Sequence, residues 1–115
     1  MFAFFKKLLG GASGPPSLTP QEAQALAKAG ALILDVRSAA ERKTAAIPGS
    51  THIPLDELHT RLGQLPQQKT IICQCASGAR SAQATRLLTS AGLDARNLRG
   101  GIAAWQGAGL PTKSR

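Results

Sequence analysis

Two short runs, "ALILDV" (residues 31–36) and "TIICQ" (residues 70–74), constrain the fold of this chain more than any other feature. Each is apolar without alternation and only as long as a strand. That is the pattern of a strand buried on both faces, and such strands belong to parallel sheets with helices on either side. The flanking segments agree. Thr19, Pro20 and Glu22 read as a helix start, with Thr19 as N-cap, Pro20 at the first helical position and Glu22 placed to close a capping box. Ala23, Leu26 and Ala27 form the inner face of that helix and Gly30 stops it. After the first run, "DVRSAAER" reads as a loop and a short helical turn, Pro48-Gly49 as a turn, and residues 51–53 as a brief strand. Leu55, Leu58, Leu62 and Leu65 recur at helical spacing. From Ser81 onward, Ala84, Leu87, Leu88 and Ala91 mark one face of a helix that Gly92 ends. A short strand at residues 95–98, the pair Gly100-Gly101 and a helix over residues 102–108 follow. Strands alternating with helices predict an α/β fold, a small parallel β-sheet of about five strands flanked by helices on both faces.

The chain has 115 residues, enough for one domain with a real core and too few for two. Apolar residues make up 43% but aromatics only 3%, so the core is aliphatic. A formal charge of +8 favours anionic partners. Nucleic acid is not expected among them, because the cations are scattered and almost no rings are available for base stacking. Two cysteines, Cys73 and Cys75, do not make a secreted disulfide framework, so reduced thiols in a cytoplasmic protein are expected. In "MFAFFKKLLGG", residues 1–9 wound as a helix put Phe4, Leu8, Met1, Phe5, Leu9 and Phe2 on one side and Lys6 and Lys7 on the other. The segment lacks the order of a signal peptide and is too short to span a bilayer. Its pattern suits a peripheral membrane anchor or a partner-docking segment; a frayed tail accounts for it equally well. The expected organisation is an apolar tip and Gly/Ser/Pro linker over 1–17, a domain over 18–111, and a basic tail over 112–115.

The chemistry is expected in "CASGAR", between the second apolar run and the helix from Ser81. Ligands of open parallel sheets bind at the carboxyl ends of strands, where this loop lies. A short loop feeding a helix start turns backbone N–H groups inward, and the helix adds roughly half a positive charge. Gly78 permits the crowded backbone that such a cradle needs. An anion at its centre is stabilised; if that anion is the Cys75 sulfur, the thiol becomes a standing nucleophile. Ala76, Ser77, Gly78 and Ala79 form the cradle, and Arg80 either braces it or reaches a substrate oxyanion. The plainer account makes Cys75 a small buried hydrophobe, the usual fate of free cysteine. Cys73 reads as core within its apolar run, with a resolving thiol as the less expected role. Two cysteines without nearby histidines do not close a metal shell, so no metal or other cofactor is expected. His52 and His59 read as solvated surface residues.

These residues resemble the rhodanese family of sulfurtransferases. The resemblance runs from about residue 18 to 111 through "LILDVRSAAE", "IPGSTHIPLDEL", "CASGARSAQATRLLTSAGL" and "LRGGIAAWQGAGLP" with Trp105. It implies a rhodanese-like fold in which Cys75 takes a sulfane sulfur from a small anionic donor (thiosulfate or a persulfide) as a Cys75 persulfide. That sulfur would pass to cyanide or a thiol. It further implies a supporting role for Asp35, Arg37 and Glu41, with Arg37 and Glu41 paired across one helical turn. Phosphatases related to this fold place five residues between Cys and Arg, whereas four stand here, a ring better suited to sulfur than to a phosphate ester. Two positions depart from the family pattern: Ala45-Ala46-Ile47 replaces a common Gly-His-Ile, and Ala76 stands where a second basic residue would help hold thiosulfate. A second expectation is therefore a non-enzymatic sulfur-carrier or partner-docking module, at a membrane surface through residues 1–9.

Overall fold

The computed structural model describes residues 15–114; the apolar tip at residues 1–9 lies outside them. Five parallel strands form one sheet: β1 (Ser17–Leu18), β2 (Leu32–Asp35), β3 (Thr51–His52), β4 (Ile71–Gln74) and β5 (Ala95–Leu98), in the order β1-β5-β4-β2-β3. The two apolar runs are β2 and β4, paired from Leu32 opposite Ile71 to Asp35 opposite Gln74. They lie side by side at the centre, which is why neither alternates. β1 was not expected; its two residues pair with Asn97 and Leu98 at the sheet edge.

Successive strand residues point to opposite faces, so each central strand feeds two cores. Leu34, Ile71 and Cys73 point to one face, beneath α3 (Leu55–Leu58) and α4 (Ala79–Ser90), where Leu58, Ala84 and Leu88 meet them. Ile33 and Ile72 point to the other, with Ala23 of α1 (Pro20–Lys28) and Ile102 and Trp105 of α5 (Gly101–Gly107). Helix α1 starts on the expected capping box: Thr19 Oγ1 accepts from the Glu22 N–H at 3.1 Å and Glu22 Oε1 accepts from the Thr19 N–H at 2.8 Å. The short helix α2 (Ala39–Thr44) carries a second box, Ser38 with Glu41.

Three local expectations change. The leucines from 55 to 65 do not form one helix; α3 stops at Leu58 and a separate 3₁₀ turn, Leu62–Gln64, brings Leu65 into the core. Helix α4 begins at Ala79, two residues before Ser81, and Ala91 is its exposed C-cap, while Ser81 and Thr85 take inner positions. Lys113 exchanges backbone hydrogen bonds of 2.8 and 2.9 Å with Ala46, tying part of the C-terminal segment to the domain. Ala46, where the family pattern has histidine, is fully buried.

Candidate active site

The loops leaving β2, β4 and β5 gather at the carboxyl ends of these strands. Helix α4 starts with Gly78 as N-cap, at φ +110°, and glycine has no side chain to satisfy the free N–H groups of the first turn. The Cys75 sulfur does so instead. Sγ accepts from the Gly78 N–H at 3.1 Å, the Ser81 N–H at 3.3 Å and the Ser81 hydroxyl at 3.3 Å. Burial by itself would raise the Cys75 thiol; the Ser81 hydroxyl and the N–H groups of Ser81, Gly78 and Ser77 outweigh it and hold the thiol below its ordinary range. Cys73, on the same face but within the core, has no such cradle. Its burial, only partly offset by the Thr85 hydroxyl, pushes that thiol up to about 12. Both cysteines are free and buried.

The loop carbonyls are held from behind. The first turn of α5 donates from Ile102 N–H to the Cys75 carbonyl at 2.8 Å and from Ala103 N–H to the Ala76 carbonyl at 3.2 Å. Carbonyls fixed outward leave the N–H groups facing the sulfur. This approach depends on Gly101, at φ +62°, where a Cβ would stand 2.5 Å from each of those carbonyl oxygens.

Arg80 lies in the first turn of α4, not at the far end of a loop, and its guanidinium is engaged. Nη1 and Nη2 donate to the two Glu41 carboxylate oxygens at 2.8 Å each, joining the first turn of α4 to α2. Chiefly through Arg80, with help from Ser38, the Glu41 carboxyl is held at about 2. The expected pairing of Arg37 with Glu41 is therefore absent. Arg37 precedes α2, so it is not one helical turn from Glu41; it grips the fully buried Asp35 through Nε at 3.0 Å and Nη2 at 2.9 Å. Arg42 Nη1 adds a bond to Asp35 at 3.1 Å. Arg37 also donates to the Ala45 carbonyl at 2.6 Å, and its own carbonyl accepts from His52 Nε2 at 2.7 Å. His52 is thus a half-buried brace rather than a solvated residue, whereas His59 is exposed.

Two residues at the sulfur escaped the sequence reading. The Ser81 hydroxyl lies 2.6 Å from Asn97 Oδ1, and Asn97 Nδ2 donates to the Gly78 carbonyl at 3.2 Å. An asparagine inside a short strand was the available signal, since strands are poor in asparagine and a buried amide needs partners. Beside Arg80 opens a cleft of about 850 Å³, lined by Val36, Ala39, Leu55 and Leu87 with Asp56, Glu57 and His59 at its edge.

The sequence model of the rhodanese-like domain matches residues 19–108. The chain belongs to the rhodanese family. This rhodanese-like domain is 38% identical over 81 residues to a sulfurtransferase of Allochromatium vinosum, covering 70% of this chain and 76% of that protein. A rhodanese-related protein of Thermoplasma volcanium shares its fold at a TM-score of 0.83 with 32% identity, over 87% of this chain and 99% of the other. A thiosulfate sulfurtransferase of Pseudomonas aeruginosa gives a TM-score of 0.81 and 34% identity over 96% of this chain, which spans 22% of that larger protein. Among the described residues, no helix of the domain is long and apolar enough to cross a membrane.

Proposed function

We propose that this rhodanese-like domain is a sulfurtransferase whose Cys75 carries a sulfane sulfur as a persulfide. The observation that carries the reading is the sulfur seated among the N–H groups of Gly78 and Ser81 at the start of α4. In the first half-reaction the Cys75 thiolate attacks the outer sulfur of the donor. A bond forms between Sγ and that sulfur, and the donor's S–S bond breaks with its electron pair leaving on the remainder, sulfite in the case of thiosulfate. In the second, cyanide or a thiolate attacks the outer sulfur and the pair returns to Sγ. The cradle favours the thiolate over the thiol, which lessens the need for a general base, and it then faces an equally anionic persulfide. The ring of four residues between Cys75 and Arg80 supports sulfur over a phosphate ester.

The donor is a persulfide in preference to thiosulfate. Ala76 brings no charge to the loop, and the Arg80 guanidinium is held bidentately by Glu41, so among the described residues a dianion meets backbone dipoles and a guanidinium already paired. The same features favour a second reading, a sulfur carrier that accepts and yields sulfur to a protein partner without multiple turnover. A cytoplasmic setting and a membrane or partner contact through residues 1–9 belong to this proposal.

Intact-mass spectrometry after incubation with thiosulfate, and separately with a low-molecular-weight persulfide, tests the assignment. One added sulfur atom is expected, lost in Cys75→Ser and retained in Cys73→Ser. No adduct from either donor would refute sulfur loading. Repeated production of thiocyanate from cyanide separates the enzyme from the carrier.

A further inference from the structure

The Ser81 hydroxyl has one proton and three acceptors within reach: Asn97 Oδ1 at 2.6 Å, Cys75 Sγ at 3.3 Å and the Gly78 carbonyl at 3.3 Å. Which acceptor holds the proton depends on Asn97. The orientation of that amide is fixed, because the Gly78 carbonyl can only accept and so takes Nδ2–H, leaving Oδ1 toward Ser81. The shortest contact therefore draws the proton away from sulfur.

We propose that Asn97 is a positioning residue. Its amide oxygen holds the Ser81 proton while Sγ is a neutral thiol or is bonded to a second sulfur, and releases it to Sγ when the sulfur is a free thiolate. In the first two states Sγ bears no charge and is a poor acceptor, so the 2.6 Å bond to Asn97 prevails. In the thiolate the acceptor is charged, and bonds to charged acceptors are roughly twice as strong as neutral ones. Loading moves the negative charge one atom outward and returns the proton to Asn97; unloading reverses this. Bonds are neither made nor broken at Ser81, whose hydroxyl only rotates. Asn97, on the strand next to β4, thus tempers the thiolate without touching it, through Ser81 of α4.

This inference rests on Cys75 being the nucleophile, but its test reads ionisation and not sulfur transfer. The Cys75 titration is followed by the ultraviolet absorbance of the thiolate. The chain has no tyrosine to mask that signal, and Cys73, pushed up to about 12, ionises outside the range. Among the described residues, the charged or titratable groups on the elements around the thiol are Arg80 of α4, Glu41 of α2 bound to it, and Asp56, Glu57 and His59 lining the cleft beside Arg80; the first turn of α5 carries none. They are common to every variant compared.

Ser81→Ala is expected to raise the Cys75 midpoint by about one to two units, the worth of one bond to a charged group. That increment should depend on position 97. In an Asn97→Asp background the carboxylate keeps the hydroxyl proton, so adding Ser81→Ala changes the midpoint little. In an Asn97→Ala background the hydroxyl is free for sulfur, so Ser81→Ala raises the midpoint by more than in the native chain. The same increment in all three backgrounds would overturn the proposal, since Asn97 would then act through space or through packing alone. Should Asn97→Asp fail to show a cooperative melt, the comparison of native chain and Asn97→Ala decides: an equal increment refutes, a larger one supports. A chain that shows this coupling but takes up no sulfur would refute the proposed function and leave the proton exchange standing.

Discussion

Replacing Gly101 by alanine tests the idea that α5 shapes the cradle from behind. The new Cβ would stand 2.5 Å from both the Cys75 and the Ala76 carbonyl oxygens, well inside van der Waals contact, and both obstacles are backbone. Either α5 or the loop must move. The left-handed conformation, φ +62°, costs an L-residue about 1–2 kcal/mol by itself. Movement also sacrifices the hydrogen bonds from Ile102 and Ala103, together worth about 1–3 kcal/mol. The expected loss is roughly 2–5 kcal/mol, which for a domain of this size lowers Tm by at least about 10 °C. Because released carbonyls no longer hold the loop N–H groups toward Sγ, the Cys75 midpoint should also rise. Gly107→Ala, in the same helix with nothing within 4 Å of its Cβ and no positive φ, is the control and should be neutral or stabilising by up to about 1 kcal/mol. Calorimetry and thiol titration on the two variants suffice. If Gly101→Ala melts with the native chain and titrates with it, α5 does not position the loop.

Asp35→Asn should destabilise by about 3–5 kcal/mol in urea denaturation, because Arg37, 4% exposed, would keep its charge without a carboxylate partner. Glu41 is held at about 2 against an ordinary 4.5, so its contribution to stability is complete above pH 4.5 and is lost as pH falls toward 2. Glu41→Gln keeps the capping box and should cost little near neutrality, since the ion pair lies at the surface, while flattening acid denaturation across that window. By leaving Arg80 uncompensated, it should also let thiosulfate load at lower concentration in the mass assay. Limited alkylation at neutral pH, read by peptide mapping, should label Cys75 and spare Cys73, since burial pushes the latter up to about 12. Preferential labelling of Cys73 would contradict the cradle.

The sheet was legible because its evidence is compositional and local: β2 and β4 are apolar on both faces, and α1 begins at a capping box that can be read residue by residue. The spacing of Leu55, Leu58, Leu62 and Leu65 misled for a physical reason. Hydrophobic period reports which side chains turn inward and says nothing of whether the backbone ladder between them is continuous. Here Thr60 Oγ1 donates to the Glu57 carbonyl at 2.9 Å and the chain turns, yet Leu58 and Leu65 still reach the core. Ser81 and Thr85 show the converse. A small hydroxyl can replace an apolar residue on the inner face of α4 when it finds a partner, as Thr85 Oγ1 does at the Ser81 carbonyl, 2.7 Å away.

The polar partners of the site were harder to read, because pairing depends on where a helix starts. Arg37 and Glu41 stand four apart, but the spacing rule holds only when both lie on one helix. Ser38 and Glu41 form a capping box, which sets the start at Ala39 and leaves Arg37 outside. That spacing of serine and glutamate was present in the sequence, and it excludes the pair. With Glu41 fixed at the helix start, its outer oxygens face the neighbouring loop, and Arg80 is the cation that reaches them. The same reasoning covers the sulfur. A helix opening on Gly78 has first-turn N–H groups that no side chain of its cap can meet, so an acceptor from the loop before it is drawn in. That acceptor is Cys75, and the fold's need for a cap and the thiol's need for a stabilised anion are met by one set of bonds.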